Sequence, residues 1–131
     1  MSEELEGYAR LLTPHAWRVR EAARVIGPTR VGCAVLSDND KVWVGCNVEH
    51  RFRSHDVHAE VNALSSLVAG GDNKAVAVIV VAERSNFTPC GSCMDWIFEI
   101  GGPSCWVGVQ AAENATITWC TARDLMPHYP D

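Results

Sequence analysis

Ala75-Val76-Ala77-Val78-Ile79-Val80-Val81-Ala82 runs for eight residues without a polar side chain. An apolar run of that length, rich in valine and without alternation, predicts a strand covered on both faces, at the centre of a sheet between layers of helix. The neighbouring segments supply the covers. From His58 to Leu67 the apolar residues Val61, Ala63, Leu64 and Leu67 recur at helical spacing, and Gly70-Gly71 closes the segment. After the strand, Pro89 opens a helix that runs to about Ile100 and stops at Gly101-Gly102-Pro103. Further out, Val31 to Leu36 and Val42 to Val48 flank the turn-rich Ser37-Asp38-Asn39-Asp40-Lys41, which predicts an antiparallel hairpin. Ser104 to Gln110 and Thr116 to Trp119 read as the last two strands. The few residues between them cannot hold the crossover of a parallel pair, so they too are expected antiparallel. Thr13-Pro14 predicts a helix start, with Trp17, Val19, Ala22, Ala23 and Ile26 as its apolar stripe up to Gly27-Pro28. Thr121 to Met126 predicts a short final helix. The expected class is α/β: one domain over 1–131, a three-layer α-β-α sandwich around a mixed five-stranded sheet.

Composition narrows the function. The chain is 47% hydrophobic and 21% charged, a globular balance that excludes disorder as the main theme. Its longest apolar run falls far short of the roughly 18 to 20 residues that span a bilayer, so no membrane partner is expected. Eleven basic against sixteen acidic residues leave a net charge of −5, which repels a phosphate backbone; no nucleic-acid partner is expected. Met1-Ser2-Glu3-Glu4-Leu5-Glu6 is acidic and lacks the apolar core of an export signal, which predicts a cytoplasmic protein. In that compartment six cysteines are thiols or metal ligands rather than disulfides. Cys33, Cys46, Cys105 and Cys120 lie singly in apolar runs and read as small core residues.

Cys90 and Cys93 are different, because their Cys-x-x-Cys spacing opens a predicted helix just as His58-Ala59-Glu60 opens another. The intervening stretch holds one helix, one strand and a return loop, so both motifs can reach the same end of the sheet. One imidazole and two thiolates suit zinc, and three protein ligands leave a fourth tetrahedral position for water. The expected cofactor is one Zn²⁺ per subunit on His58, Cys90 and Cys93, with Glu60 as the carboxylate that serves the bound water. The helix start should favour thiolate over thiol at both cysteines.

His-x-Glu followed by Pro-Cys-x-x-Cys is the signature of zinc-dependent nucleobase deaminases, and the chain resembles the small, free-nucleoside cytidine deaminases from about Val31 to Pro127. Val31-Gly32-Cys33-Ala34 is similar to that family's first strand, Gly45-Cys46-Asn47-Val48-Glu49 to its second, and Asp124-Leu125-Met126-Pro127 to a block near its C-terminus. The resemblance implies conversion of cytidine or deoxycytidine to the uracil nucleoside with release of ammonia. It also implies that Asn47 and Glu49 bind the ribose hydroxyls, that the Ala59 N–H holds the pyrimidine O2, and that Glu60 bonds N3 while moving protons. The implied assembly is a homotetramer whose subunits complete one another's pockets, with a homodimer as the alternative. His58 and Val61 replace the cysteine and arginine that many members carry together, two changes that cancel in charge.

Other departures bear on the substrate. Thr29 stands where a phenylalanine is common, Arg53 where a tyrosine is common, and Met94-Asp95 replaces Arg-Gln. The alternative substrate is therefore a modified cytosine nucleoside or an aminonucleoside antibiotic of the blasticidin S type. A non-catalytic zinc module would need a fourth protein ligand from His50, His55 or Cys46. Phe52 and Tyr129 are candidates to stack on the base. Arg51 and Arg53 are open between solvent, subunit contacts and a charged substrate group.

Overall fold

The apolar run forms β3 (Ala75–Ala82), the middle strand of a five-stranded sheet in the order β2-β1-β3-β4-β5. The computed structural model describes residues 2–130; Met1 and Asp131, the two ends of the single-domain expectation, lie outside the described residues. β1 (Val31–Ser37) pairs antiparallel with both β2 (Val42–Cys46) and β3. β4 (Trp106–Gln110) pairs parallel with β3, and β5 (Ile117–Thr121) antiparallel with β4. The sheet is therefore mixed, with two crossovers, β2 to β3 past β1 and β3 to β4, each made through a helix.

The period-two geometry of strands splits the sheet into two cores. Ala34, Leu36, Ala77, Ile79 and Val81 face Leu12, Ala16 and Trp17 of α1 (Glu3–Arg20). Cys33, Val35, Val78, Val80 and Val107 face the opposite layer. That layer holds Ala63, Leu64 and Leu67 of α2 (Ala59–Ala69) and Met94, Ile97 and Phe98 of α3 (Gly91–Gly101). A short α4 (Ala122–Leu125) follows β5, closed by a reciprocal cap in which Thr121 accepts from the Asp124 N–H and Asp124 from the Thr121 N–H.

Two glycines set how near the helices approach. A Cβ on Gly32 would lie 2.0 Å from the Ala16 carbonyl oxygen, and one on Gly45 would lie 2.3 Å from the Ala63 nitrogen. α1 thus presses on β1, and α2 on β2, at backbone-to-backbone distance. Asp72 ties the edge together from the loop before β3, accepting from Asn39 Nδ2 and Trp43 Nε1, each at 2.8 Å. All six cysteines are free thiols, and no described helix is long and apolar enough to cross a membrane.

The first helix departs from its sequence reading at both ends. It begins at Glu3, because Ser2 Oγ accepts from the Leu5 N–H and Glu3, Glu4 and Glu6 favour the positive end of the helix dipole. It ends at Arg20, short of Ala23 and Ile26. Thr13-Pro14 is no start at all: Pro14 sits exposed inside the helix. The other differences are of one or two residues at element ends. Cys90 and His58 are extended residues that precede their helices rather than members of the first turn.

Candidate active site

β2 leads through Asn47 and Glu49 into a loop and a single 3₁₀ turn, Arg53–His55, before α2 begins at Ala59. β3 leads through residues 83–89 into α3. Both helix starts therefore open at the same end of the sheet, where Thr29, Val31, Val80, His58, Ala59 and Glu60 line a cavity of about 230 Å³. Asn47, Glu49 and Cys90 line it as well. A wider groove of about 690 Å³ runs beside α1, away from these residues. Its buried Gln110 spends its amide on fold contacts, accepting from Trp17 Nε1 at 2.6 Å and donating to the Ala115 carbonyl at 2.8 Å.

His58, Cys90 and Cys93 converge. Their donor atoms all lie within 4.8 Å of one another, with His58 Nδ1 3.3 Å from Cys93 Sγ and 3.4 Å from Cys90 Sγ. A tetrahedral zinc ion, with bonds of about 2.3 Å to sulfur and about 2.0–2.1 Å to nitrogen, holds such donors about 3.5 Å apart. The set fits that ion in donor type and in spacing. No fourth protein donor joins it among the described residues. His50 and His55 instead meet in a tilted ring contact, centroids 4.9 Å apart, in the exposed loop, and Cys46 is buried in β2.

Burial, then the Glu60 carboxylate and Cys90, push the Cys93 thiol far above its ordinary pKa, and the α3 start does not offset them. A divalent cation is what reverses this, because a coordinating thiol is deprotonated outright. Glu60 is 6% exposed. Burial raises its pKa, against the opposing pull of its own backbone N–H, His58 and the Cys93 thiol. A carboxyl whose hold on a proton is strengthened in this way is better matched to carrying one.

Asn47 and Glu49 are already engaged. Asn47 Oδ1 accepts from the Val31 N–H and Nδ2 donates to the Thr29 carbonyl, both at 2.9 Å, which leaves one amide hydrogen uncommitted. Glu49 Oε1 accepts from the Ile26 N–H at 2.6 Å and the Gly27 N–H at 2.8 Å, while Oε2 meets Arg53 at 3.1 Å. The Gly27 and Ile26 N–H groups, then Arg53, hold Glu49 below the usual carboxylate range. Arg53 also donates from Nε to Asp56 at 2.9 Å. The His50 N–H and Arg53 hold Asp56 low in turn.

Sequence reasoning missed Asp56, Arg84, Phe87 and Thr88, all of which line the cavity. The aromatic expectation is corrected: Phe87 is the aromatic at the cavity wall. Phe52 projects into the exposed loop under the Arg51 guanidinium, 4.7 Å from the ring centroid. Tyr129 stacks on Phe98 at 4.3 Å and donates to Asp95.

Comparison with known proteins places this geometry. The family described as "Cytidine and deoxycytidylate deaminase zinc-binding region" matches residues 6–109. The cytidine deaminase of Sporosarcina psychrophila is 34% identical over 70 residues, 53% of this chain and 52% of that protein. The chain thus matches about half the length of such curated relatives. Among solved structures, the cytidine deaminase of Burkholderia pseudomallei superposes with a TM-score of 0.82 at 29% identity, covering 98% of both chains. That of Mycobacterium tuberculosis superposes with a TM-score of 0.78 at 26% identity, covering 91% of this chain and 94% of the other.

Proposed function

The chain belongs to the family of cytidine and deoxycytidylate deaminases, and from that premise we propose that it hydrolyses the amino group from a free cytosine nucleoside, giving the uracil nucleoside and ammonia. One observation carries the reading: an imidazole and two sulfurs within 4.8 Å of one another, with a buried carboxyl alongside, at the wall of a cavity. His58, Cys90 and Cys93 would hold zinc, which when bound acts as a Lewis acid and lowers the pKa of a coordinated water from about 15.7 to about 7.

The chain's own residues do the rest. Glu60 hydrogen-bonds the pyrimidine N3, carries one proton of the attacking water to N3, where it stays, and carries the second to the departing amine. The Ala59 N–H, at the first position of α2 where no intrahelical acceptor exists, holds the pyrimidine O2. The uncommitted Nδ2 hydrogen of Asn47 and the remaining lone pair on Glu49 Oε2 take the ribose hydroxyls. Phe87 shields one side of the base from water.

Ammonia release from cytidine and deoxycytidine by the zinc-loaded protein is the direct test. If neither these nor a panel of other amino-heterocycles turn over, the reading fails. The assembly we propose is a homotetramer acting in the cytoplasm. Exposed Val68 and Trp96 lie with Val61, Leu64 and Ile100 along an apolar groove between α2 and α3, a face suited to burial against another subunit. Light scattering should return four times the chain mass, and a monomer would refute the assembly.

A further inference from the structure

The charges around the cavity are not evenly spent. Glu49 is saturated on Oε1 by two backbone N–H groups and paired on Oε2 with Arg53. Asp56 takes the His50 N–H at 2.7 Å on Oδ1 and Arg53 Nε at 2.9 Å on Oδ2. Arg53 is thereby committed to two carboxylates on its own loop. Arg84, on the loop leaving β3, lines the same cavity, and its side chain makes no hydrogen bond or ion pair among the described residues. The base of that loop is fixed, since the Arg84 N–H donates to the Ala111 carbonyl at 3.1 Å. A neighbouring residue, Asn86, adopts a φ of 53°. The loop then passes Phe87 and Thr88 before reaching Cys90.

An uncommitted guanidinium at the wall of a small cavity is a planar fork of donors, matched to the paired oxygens of phosphate or carboxylate. A neutral sugar offers it only single hydroxyl acceptors. Glu49 and Asp56 do not compete for it, because each already has its donors. We propose that Arg84 is a specificity-determining residue, and that the preferred substrate is an aminopyrimidine nucleoside bearing an anionic substituent, phosphate or carboxylate, on its sugar end. This rests on the deaminase reading for the position of the base, and adds to it the chemical class of the group at the opposite end.

Two sets of measurements separate the two readings. The first is kcat/KM for cytidine, cytidine 5′-monophosphate and the 5′-carboxylate of cytidine. The second is calorimetric binding of the three corresponding uracil compounds, which needs no turnover. Wild type should prefer an anionic compound over its neutral parent by about tenfold to a hundredfold, the usual yield of a hydrogen bond to a charged group. Raising the salt should shrink that ratio. In Arg84→Gln the ratio should collapse, and Arg84→Lys should retain part of it. The phosphate and carboxylate arms identify which anion the fork accepts. No anionic preference in wild type, or equal weakening of charged and neutral compounds in Arg84→Gln, overturns the proposal. Turnover of cytidine without anionic preference sinks the Arg84 proposal alone. Anionic preference in binding with no turnover of any aminopyrimidine sinks the deaminase reading and leaves the anion subsite standing.

Discussion

In the reaction we propose, Glu60 carries the heaviest chemical demand of any single residue in this chain. It is buried, faces the Cys93 thiol, and lies two positions after His58. Replacing it with alanine should remove the proton carrier and leave the three metal donors in place. Glu60→Ala is expected to keep its zinc, measured by elemental analysis, and to lose about 10²- to 10⁴-fold in kcat. Retention of wild-type turnover would take Glu60 out of the reaction. Asn47 shows why activity alone is a poor guide at its neighbours. Its amide closes the start of β1 through Val31 and Thr29, so truncation would injure the fold and any sugar contact together.

At the scale of elements, the first helix holds a built-in weakness. Pro14 has no N–H to give the Arg10 carbonyl and sits on the exposed face, away from the Leu12, Ala16 and Trp17 contacts. Pro14→Ala should therefore stabilise the protein by about 1–2 kcal/mol. The lost helix penalty of about 3 kcal/mol is partly offset by a looser unfolded chain. A raised melting temperature checks this, and a lowered one would mean that the proline fits the helix without cost. The same residue explains the largest error in reading the sequence. Thr13-Pro14 carries the local chemistry of a helix start, but Ser2 and three acidic residues supply a better one eleven residues earlier. β3, by contrast, was legible to the residue, because eight apolar side chains in a row leave one arrangement between two helical layers. The convergence of His58, Cys90 and Cys93 was legible from their two motifs and the stretch between them. Arg84, Phe87 and Asp56 were not, since their approach to the cavity is set by how two loops fold back, and no periodicity encodes that.

Across the whole molecule, several carboxylates have been drawn below their ordinary pKa by donors the fold supplies. Asp72 is the most buried of them, and it is held down by Asn39, Trp43 and Ser37. A depressed folded pKa means that folding favours the deprotonated form. The contribution is complete above the unfolded value of about 3.9 and is lost as the pH falls through the folded value. Glu49, Asp56 and Asp124 act with the same sign. Melting temperature should accordingly hold steady down to about pH 5 and then fall steeply. Asp72→Asn should melt lower at neutral pH and show a shallower acid slope. An acid slope unchanged in that variant would remove Asp72 from the account.

The donors of the proposed metal site come from two distant parts of the chain. Cys90 and Cys93 are neighbours in the chain, but His58 lies across a full helix and strand from them. Before the fold closes, the Cys-x-x-Cys pair would offer an ion only two of the three proposed donors. The third grip arrives only when the β3 return is in place and both helices have docked. Tight capture of the cation is in that sense a certificate of finished architecture. A quality-control step that tested for loosely held metal would be testing whether the centre of the sheet had closed.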